Sequence, residues 1–293
     1  MSAKRAAGAA GVIAPATVSQ AGATSLPPQQ RPVVPGQPGR LQKFEPLLIG
    51  GAAVVFFLVV WQLVAMARVM PELFLPGPTD IATAFRSEFK DPDIWLDLAT
   101  SGQELASGYG LAIAIGLPLG ILLGWYRRFN LALDPFISFF YSTPRIALLP
   151  LLIIWFGIGI YSKIAVIFLG AFFPITINTM AGIRSLDTSL LKAARSFGAG
   201  DAQIFRTIAL PGSVPFILTG LRLGVGHALI GVVVGELVAA QHGIGMRMAI
   251  AGETFQTAKV FADLILIAGT GVVLTLILQR LERRFDAWRP AKG

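Results

Sequence analysis

Cysteine is absent from the 293-residue chain, which excludes disulfides, thiol catalysis and cysteine-ligated metal. Charge is scarce as well: 24 Lys and Arg against 16 Asp and Glu make up 14% of the residues, where an average soluble domain carries about 25%. The only histidines, His227 and His242, have no partner at metal-ligand spacing. No Gly-Lys dipeptide occurs, so the phosphate-binding loop of ATP hydrolases is missing and ATP hydrolysis by that route is excluded. No Ser-His, HExxH or paired-Asp arrangement falls at membrane depth, which leaves neither a catalytic residue nor a metal site to name. What is abundant is apolar: 54% hydrophobic residues, a mean hydropathy of +0.69, 32 glycines and 19 prolines. These indicate an all-α, polytopic membrane protein. The net charge of +8 then reflects membrane topology, with no nucleic-acid partner implied.

Residues 1–45 are rich in Ala, Gly, Pro and Gln and read as a disordered tail. Lys4 and Arg5 resemble the start of a weak signal peptide, but Pro15 and the polar residues from Thr17 interrupt its apolar stretch. Residues 46–100 hold a first span, Leu47–Ala67, and a polar, acidic stretch over 68–104 reads as lying in water. A core over 101–285 holds five more spans: Leu105–Trp125, Asp134–Phe156 with kinks expected at Pro144 and Pro150, Ile164–Ile183, Val214–Leu237 and Phe261–Leu281. Residues 286–293 form a short tail. Of the basic residues outside the spans, sixteen share a side with both termini and the 184–211 loop and six lie opposite, which puts the termini and that loop in the cytoplasm.

The 184–211 loop has the local grammar of a helical hairpin. Asp187 caps a first helix with an apolar side of Leu190, Leu191, Ala194 and Phe197, and Gly198 sits where a left-handed residue ends a helix without steric cost. Asp201 then caps a second short helix, with Ile204, Phe205 and Ile208 available for burial, that Pro211 stops. Lys192-Ala193-Ala194, then Gly198, Ile208, Leu210 and Pro211, resemble the EAA loop of ABC importer inner-membrane permeases, whose pattern is Glu-Ala-Ala-x3-Gly-x9-Ile-x-Leu-Pro. Six of its seven positions agree, and Lys192 departs from the Glu. Leu75-Pro76-Gly77-Pro78, the run Thr143 to Leu151, Trp155 to Gly159 and Gly220 to Gly224 are similar to the nitrate, sulfonate and taurine branch of that family.

The resemblance implies a MetI-like core of about six transmembrane helices in the bacterial inner membrane. It implies a coupling loop that engages a cytoplasmic ATP-binding subunit through Lys192, Ala193, Ala194, Gly198, Asp201, Arg206, Ile208, Leu210 and Pro211. ATP and Mg would bind that subunit, with no cofactor in this chain. An extracytoplasmic binding protein, a second permease copy and membrane lipid complete the implied partners, and a small anion is the implied cargo. Arg145, Asn178 and Glu236 lie within spans, where polar groups face protein or a wet cavity; they read either as structural pairing groups or as part of a translocation path. Arg222, nearer the cytoplasmic end, reads as a structural pairing group or, more readily, as a snorkelling and loop anchor. Gly220, Gly224 and Ala228 form a small-residue stripe suited either to packing within the chain or to a dimer seam. The rival reading is an intramembrane enzyme or a membrane scaffold.

Overall fold

The computed structural model describes residues 45–71 and 73–283, and all regular structure among them is helical. The expected tails at 1–45 and 286–293 lie, apart from Glu45, outside the described residues. Contacts divide the chain after Ala53; the described part of the first unit is the opening of α1 (Glu45–Met66), and the second unit begins at Val54. In chain order the remaining helices are α2 (Pro78–Glu88), α3 (Ile94–Trp125), α4 (Arg127–Ser142), a 3-10 turn (Arg145–Leu148) and α5 (Leu149–Phe156). They continue with α6 (Ile160–Arg184), α7 (Thr188–Ser196), α8 (Asp201–Ile204), a π turn (Phe205–Ala209), α9 (Leu210–Ala239), α10 (Ile244–Glu253) and α11 (Thr257–Arg283).

Three helices, α3, α6 and α9, form the core, and glycine lets their backbones approach. A Cβ at Gly108 would lie 2.6 Å from Ile167, at Gly120 2.6 Å from the Thr176 carbonyl, and at Gly124 2.5 Å from Ile183. Position rises on α3 and α6 together, so these two helices run parallel. Between α6 and α9 the order reverses: a Cβ at Gly231 would meet Ile167 and one at Gly220 would meet Asn178 and Pro174, which makes that pair antiparallel. The Gly220, Gly224 and Ala228 stripe is thereby used within the chain, with Gly224 against Ile175 and Tyr109 and with Ala228 fully buried in the core.

The parallel run of α3 and α6 also fixes the number of crossings. α3 ends at Trp125 beside the 184–211 loop, while α6 starts at the opposite end of the bundle, so residues 126–159 carry the chain back across. α4 and α5 are therefore the two halves of one broken span, bent by 90°, and with five unbroken spans the total is six. The sequence placed this span at Asp134–Phe156 with two kinks. Instead its helix opens at Arg127, holds Pro135 inside and breaks at Thr143. Thr143 is extended, with ψ of 132°, because a residue preceding proline is crowded out of the helical region. Pro150 causes no kink, since it lies in the first turn of α5, where its missing N–H has no bond to make.

A further boundary differs from the sequence reading. α3 starts at Ile94 rather than Leu105, so part of the stretch assigned to water is helical and enclosed: Asp97 is 5% and Glu104 0% exposed. Bases on other helices, Arg247 for Asp97 and Lys163 for Glu104, pair with these acids, which no local pattern reveals. The second half of α1 packs through Trp61, whose ring lies 5.7 Å from Phe261 and whose Nε1 donates to the Pro76 carbonyl at 3.1 Å.

Candidate functional site

The 184–211 loop forms a hairpin at the end of the bundle where α3 finishes. Asp187 caps α7 by accepting from the Ser189 amide at 2.7 Å, and this backbone bond holds its carboxyl below the usual Asp range. Gly198 follows α7 with φ of +83°, the left-handed value expected of it, and space around it is open. α7 buries none of its residues: Leu190 is 51% and Phe197 92% exposed, and Lys192 and Ala193 are exposed while Ala194 is half-buried. Asp201 opens the second helix and pairs with Arg195 at 3.1 Å, both side chains in solvent. Arg206 is exposed, Ile208 and Leu210 are half-buried, and Ile204 is 1% exposed.

Pro211 does not stop this helix. It falls in the first turn of α9, and the preceding turn opens to π bonding, with the Leu210 amide reaching the Phe205 carbonyl. Asp201–Ala239 is consequently one helical run of 39 residues, joining the loop directly to a core span. Phe205 packs edge-on against Trp125 at 5.3 Å, anchoring the hairpin to α3.

Arg145 lies at the break between α4 and α5. Pro174 has no N–H for the Gly170 carbonyl one turn below it, and Arg145 Nη1 donates to that oxygen at 3.0 Å. The guanidinium also sits 5.4 Å from the Tyr141 ring centre and 5.9 Å from that of Phe173. Asn178, half-buried on the α6–α9 seam, donates through Nδ2 to the Pro174 carbonyl at 2.8 Å. Glu236 has no exposed surface; it accepts from Ser101 Oγ at 2.6 Å and from the Gly245 amide at 2.6 Å. The structure therefore does not bring the three residues expected along a path to one place: Glu236 is enclosed among α3, α9 and α10, Asn178 lies on the α6–α9 seam, and Arg145 lines an open cavity.

The sequence matches the family of binding-protein-dependent transport system inner membrane components over residues 116–287. The chain belongs to this family. It is 38% identical over 247 residues to the taurine transport system permease protein TauC of Escherichia coli strain K12, covering 83% of this chain and 89% of that protein. It is 36% identical over 267 residues to the putative aliphatic sulfonates transport permease protein SsuC of Bacillus subtilis strain 168, covering 91% and 96%. The fold is similar to that of a chain in an inward-facing structure of the MetNI methionine ABC transporter, with a TM-score of 0.55 and 22% identity over 68% of this chain and 99% of that one.

At the end of the permease away from the hairpin lies a buried polar layer that sequence reasoning missed. Arg247 on α10 bonds Glu88, Asp91 at 3.0 Å and Asp97 at 3.1 Å, joining α10 to α3 and to the end of α2. Burial alone would lower the Arg247 pKa, but the bonds to Glu88, Asp91 and Asp97 prevail and raise it. Lys163 on α6 pairs with Glu104 on α3, both nearly inaccessible. Ser101 receives the Ile244 amide at 3.0 Å while donating to Glu236, and the Gly243 amide donates to Asp97 at 2.9 Å. Gly243, with φ of +131°, has no room for a Cβ beside the Glu236 carboxyl. At the opposite end Arg222 pairs with Glu282, so its charge is met by an acid, the pairing alternative of the sequence reading. The missed signal was acids and bases outside the apolar runs, such as Glu88, Asp97, Glu104, Lys163 and Arg247, which in isolation read as solvated.

Proposed function

We propose that this permease moves a small organic anion of the taurine or sulfonate class into the cytoplasm, driven by ATP and Mg bound to a separate subunit docked on the 184–211 hairpin. One observation carries the docking: α7 is amphipathic, yet of its apolar side the chain leaves Leu190, and Phe197 just past its end, in solvent. An exposed aromatic at a helix end, flanked by Lys192 and Arg195, is the kind of anchor that fills a cleft on a partner. Lys192, Ala193, Ala194, Gly198, Asp201, Arg206, Ile208, Leu210 and Pro211 are the coupling residues of this reading. The continuous run Asp201–Ala239 gives the coupling a mechanical basis, because tilting the hairpin tilts α9 against α6. A second permease copy and an extracytoplasmic binding protein complete the importer, and both termini face the cytoplasm.

The test is reconstitution. The full chain, an ATP-binding subunit and a binding protein of the same importer should take up radiolabelled taurine or ethanesulfonate into proteoliposomes only with ATP and Mg. Phe197→Ala should abolish association of the ATP-binding subunit while leaving membrane insertion intact. Association unchanged by Phe197→Ala, or uptake without that subunit, overturns the reading.

A further inference from the structure

We propose that the cavity at the break between α4 and α5 is a binding site for the sulfonate group of the transported solute, with Arg145 as its charge-bearing residue. The inference rests on the sulfonate-class reading above and assigns it a place. Non-helical backbone at membrane depth persists only where it is enclosed by protein or lines a cavity, and here it does the latter. The cavity measures about 320 Å³ and is walled by Ser142 and Thr143 at the end of α4, by Arg145 and Ile146 after the break, and by α6 and α9.

Arg145 has a structural duty at Gly170, which occupies one of its five N–H donors and leaves its charge unmet. Among the described residues no carboxylate lies within ion-pairing distance of it, whereas Arg222 and Arg247 each hold acids. A permanent cation without a counter-ion beside a cavity in a span is costly unless an anion visits. The planar guanidinium fork matches the oxygens of a sulfonate, and the flanking Tyr141 and Phe173 rings spread part of the charge while the site is empty. His227 shares the wall, its Nδ1 held by the Leu223 carbonyl at 2.9 Å. The remaining surface from Ile146, Val166 and Ile230 is apolar, so the site has room for the carbon chain of an organosulfonate. A tetrahedral oxyanion could also arrive as a lipid phosphate, and the experiment separates the two.

The absence of cysteine makes the test direct. Ser142→Cys in the full chain, in detergent and in nanodiscs with and without phosphatidylglycerol, is treated with sulfonatoethyl methanethiosulfonate and with its trimethylammonioethyl counterpart. The anionic reagent is expected to react faster than the cationic one by at least about tenfold, the lower bound for electrostatic focusing in a cleft. Ethanesulfonate should slow that reaction in a saturable manner. Adding Arg145→Gln should abolish both effects and Arg145→Lys should keep the rate preference. An unchanged rate ratio in Arg145→Gln, or failure of ethanesulfonate to protect Ser142→Cys in the otherwise unaltered chain, overturns the proposal. Protection by phosphatidylglycerol without protection by ethanesulfonate overturns it in favour of a lipid. Neither ATP nor the partner subunit enters these measurements. Failed uptake with intact ethanesulfonate protection thus faults the importer reading, and the converse faults the site.

Discussion

At the residue scale, enclosed charge governs the behaviour of this permease. Arg247 ties Glu88, Asp91 and Asp97 to α10, so Arg247→Met takes its guanidinium from three acids, two of them almost fully buried. The loss should be about 3 kcal/mol, at the low end for a broken buried pair because Asp91 reaches solvent, and it should appear as a lower thermal midpoint of the detergent-solubilised chain. Asp187 supplies a pH dependence with a definite sign. Its carboxyl is held below the usual 3.8 by the Ser189 amide, so it caps α7 fully above that value and the cap is lost as pH falls through its lowered pKa. Amide exchange at Ser189 should accelerate in that acidic window in the parent chain and be fast at all pH values in Asp187→Ala. Lys192 departs from the Glu of the family pattern and stands with Arg195 and Arg206 in solvent. Lys192→Glu should weaken docking of the ATP-binding subunit by about 0–1 kcal/mol, an effect that salt removes in titrations at low and high ionic strength.

Among the elements, two glycines separate backbone conformation from packing. Gly198 has open space around it but a left-handed φ, so Gly198→Val strains only the backbone, by about 1–3 kcal/mol, and re-aims α8 relative to α7. The variant should insert normally and lose both uptake and co-purification with its ATP-binding subunit. Gly120 is helical, yet a Cβ there would strike the Thr176 carbonyl and Thr179. Gly120→Val should therefore force α3 away from α6 at a cost of about 1–3 kcal/mol, while Gly110→Ala, which meets nothing within 4 Å, should be neutral in the same thermal assay. The hairpin was legible from local signals: a capping Asp187, a left-handed glycine and an apolar side at helical spacing. The run from Asp201 into α9 was not, because proline reads as a stop signal until a π turn in front of it is seen to absorb the missing bond.

On the scale of the whole molecule, the parallel α3 and α6 require a crossing between them and place Ser87 and Ser189 at opposite ends of the bundle. Both are exposed. Single cysteines at these positions in right-side-out cells should label from opposite sides, Ser87→Cys from outside and Ser189→Cys only after permeabilisation. Labelling of Ser189→Cys in intact cells would invert the orientation drawn from the basic residues and place the hairpin beyond reach of ATP.

The membrane class, five spans that need only length and hydropathy, and the hairpin all follow from the sequence alone, since each depends on composition or on residues within one or two turns of each other. The polar layer depends on pairs such as Arg247 with Glu88, Lys163 with Glu104 and Ser101 with Glu236, whose members lie on different helices. The burial of Arg247, Glu88, Lys163 and Glu104 was not legible because a charged residue outside an apolar run looks the same whether it meets water or an opposite charge. The same distinction sorted Arg145 from Arg222. In sequence both are basic residues in apolar spans, and only the tertiary arrangement gave Arg222 an acid and left Arg145 with none in ion-pairing distance among the described residues.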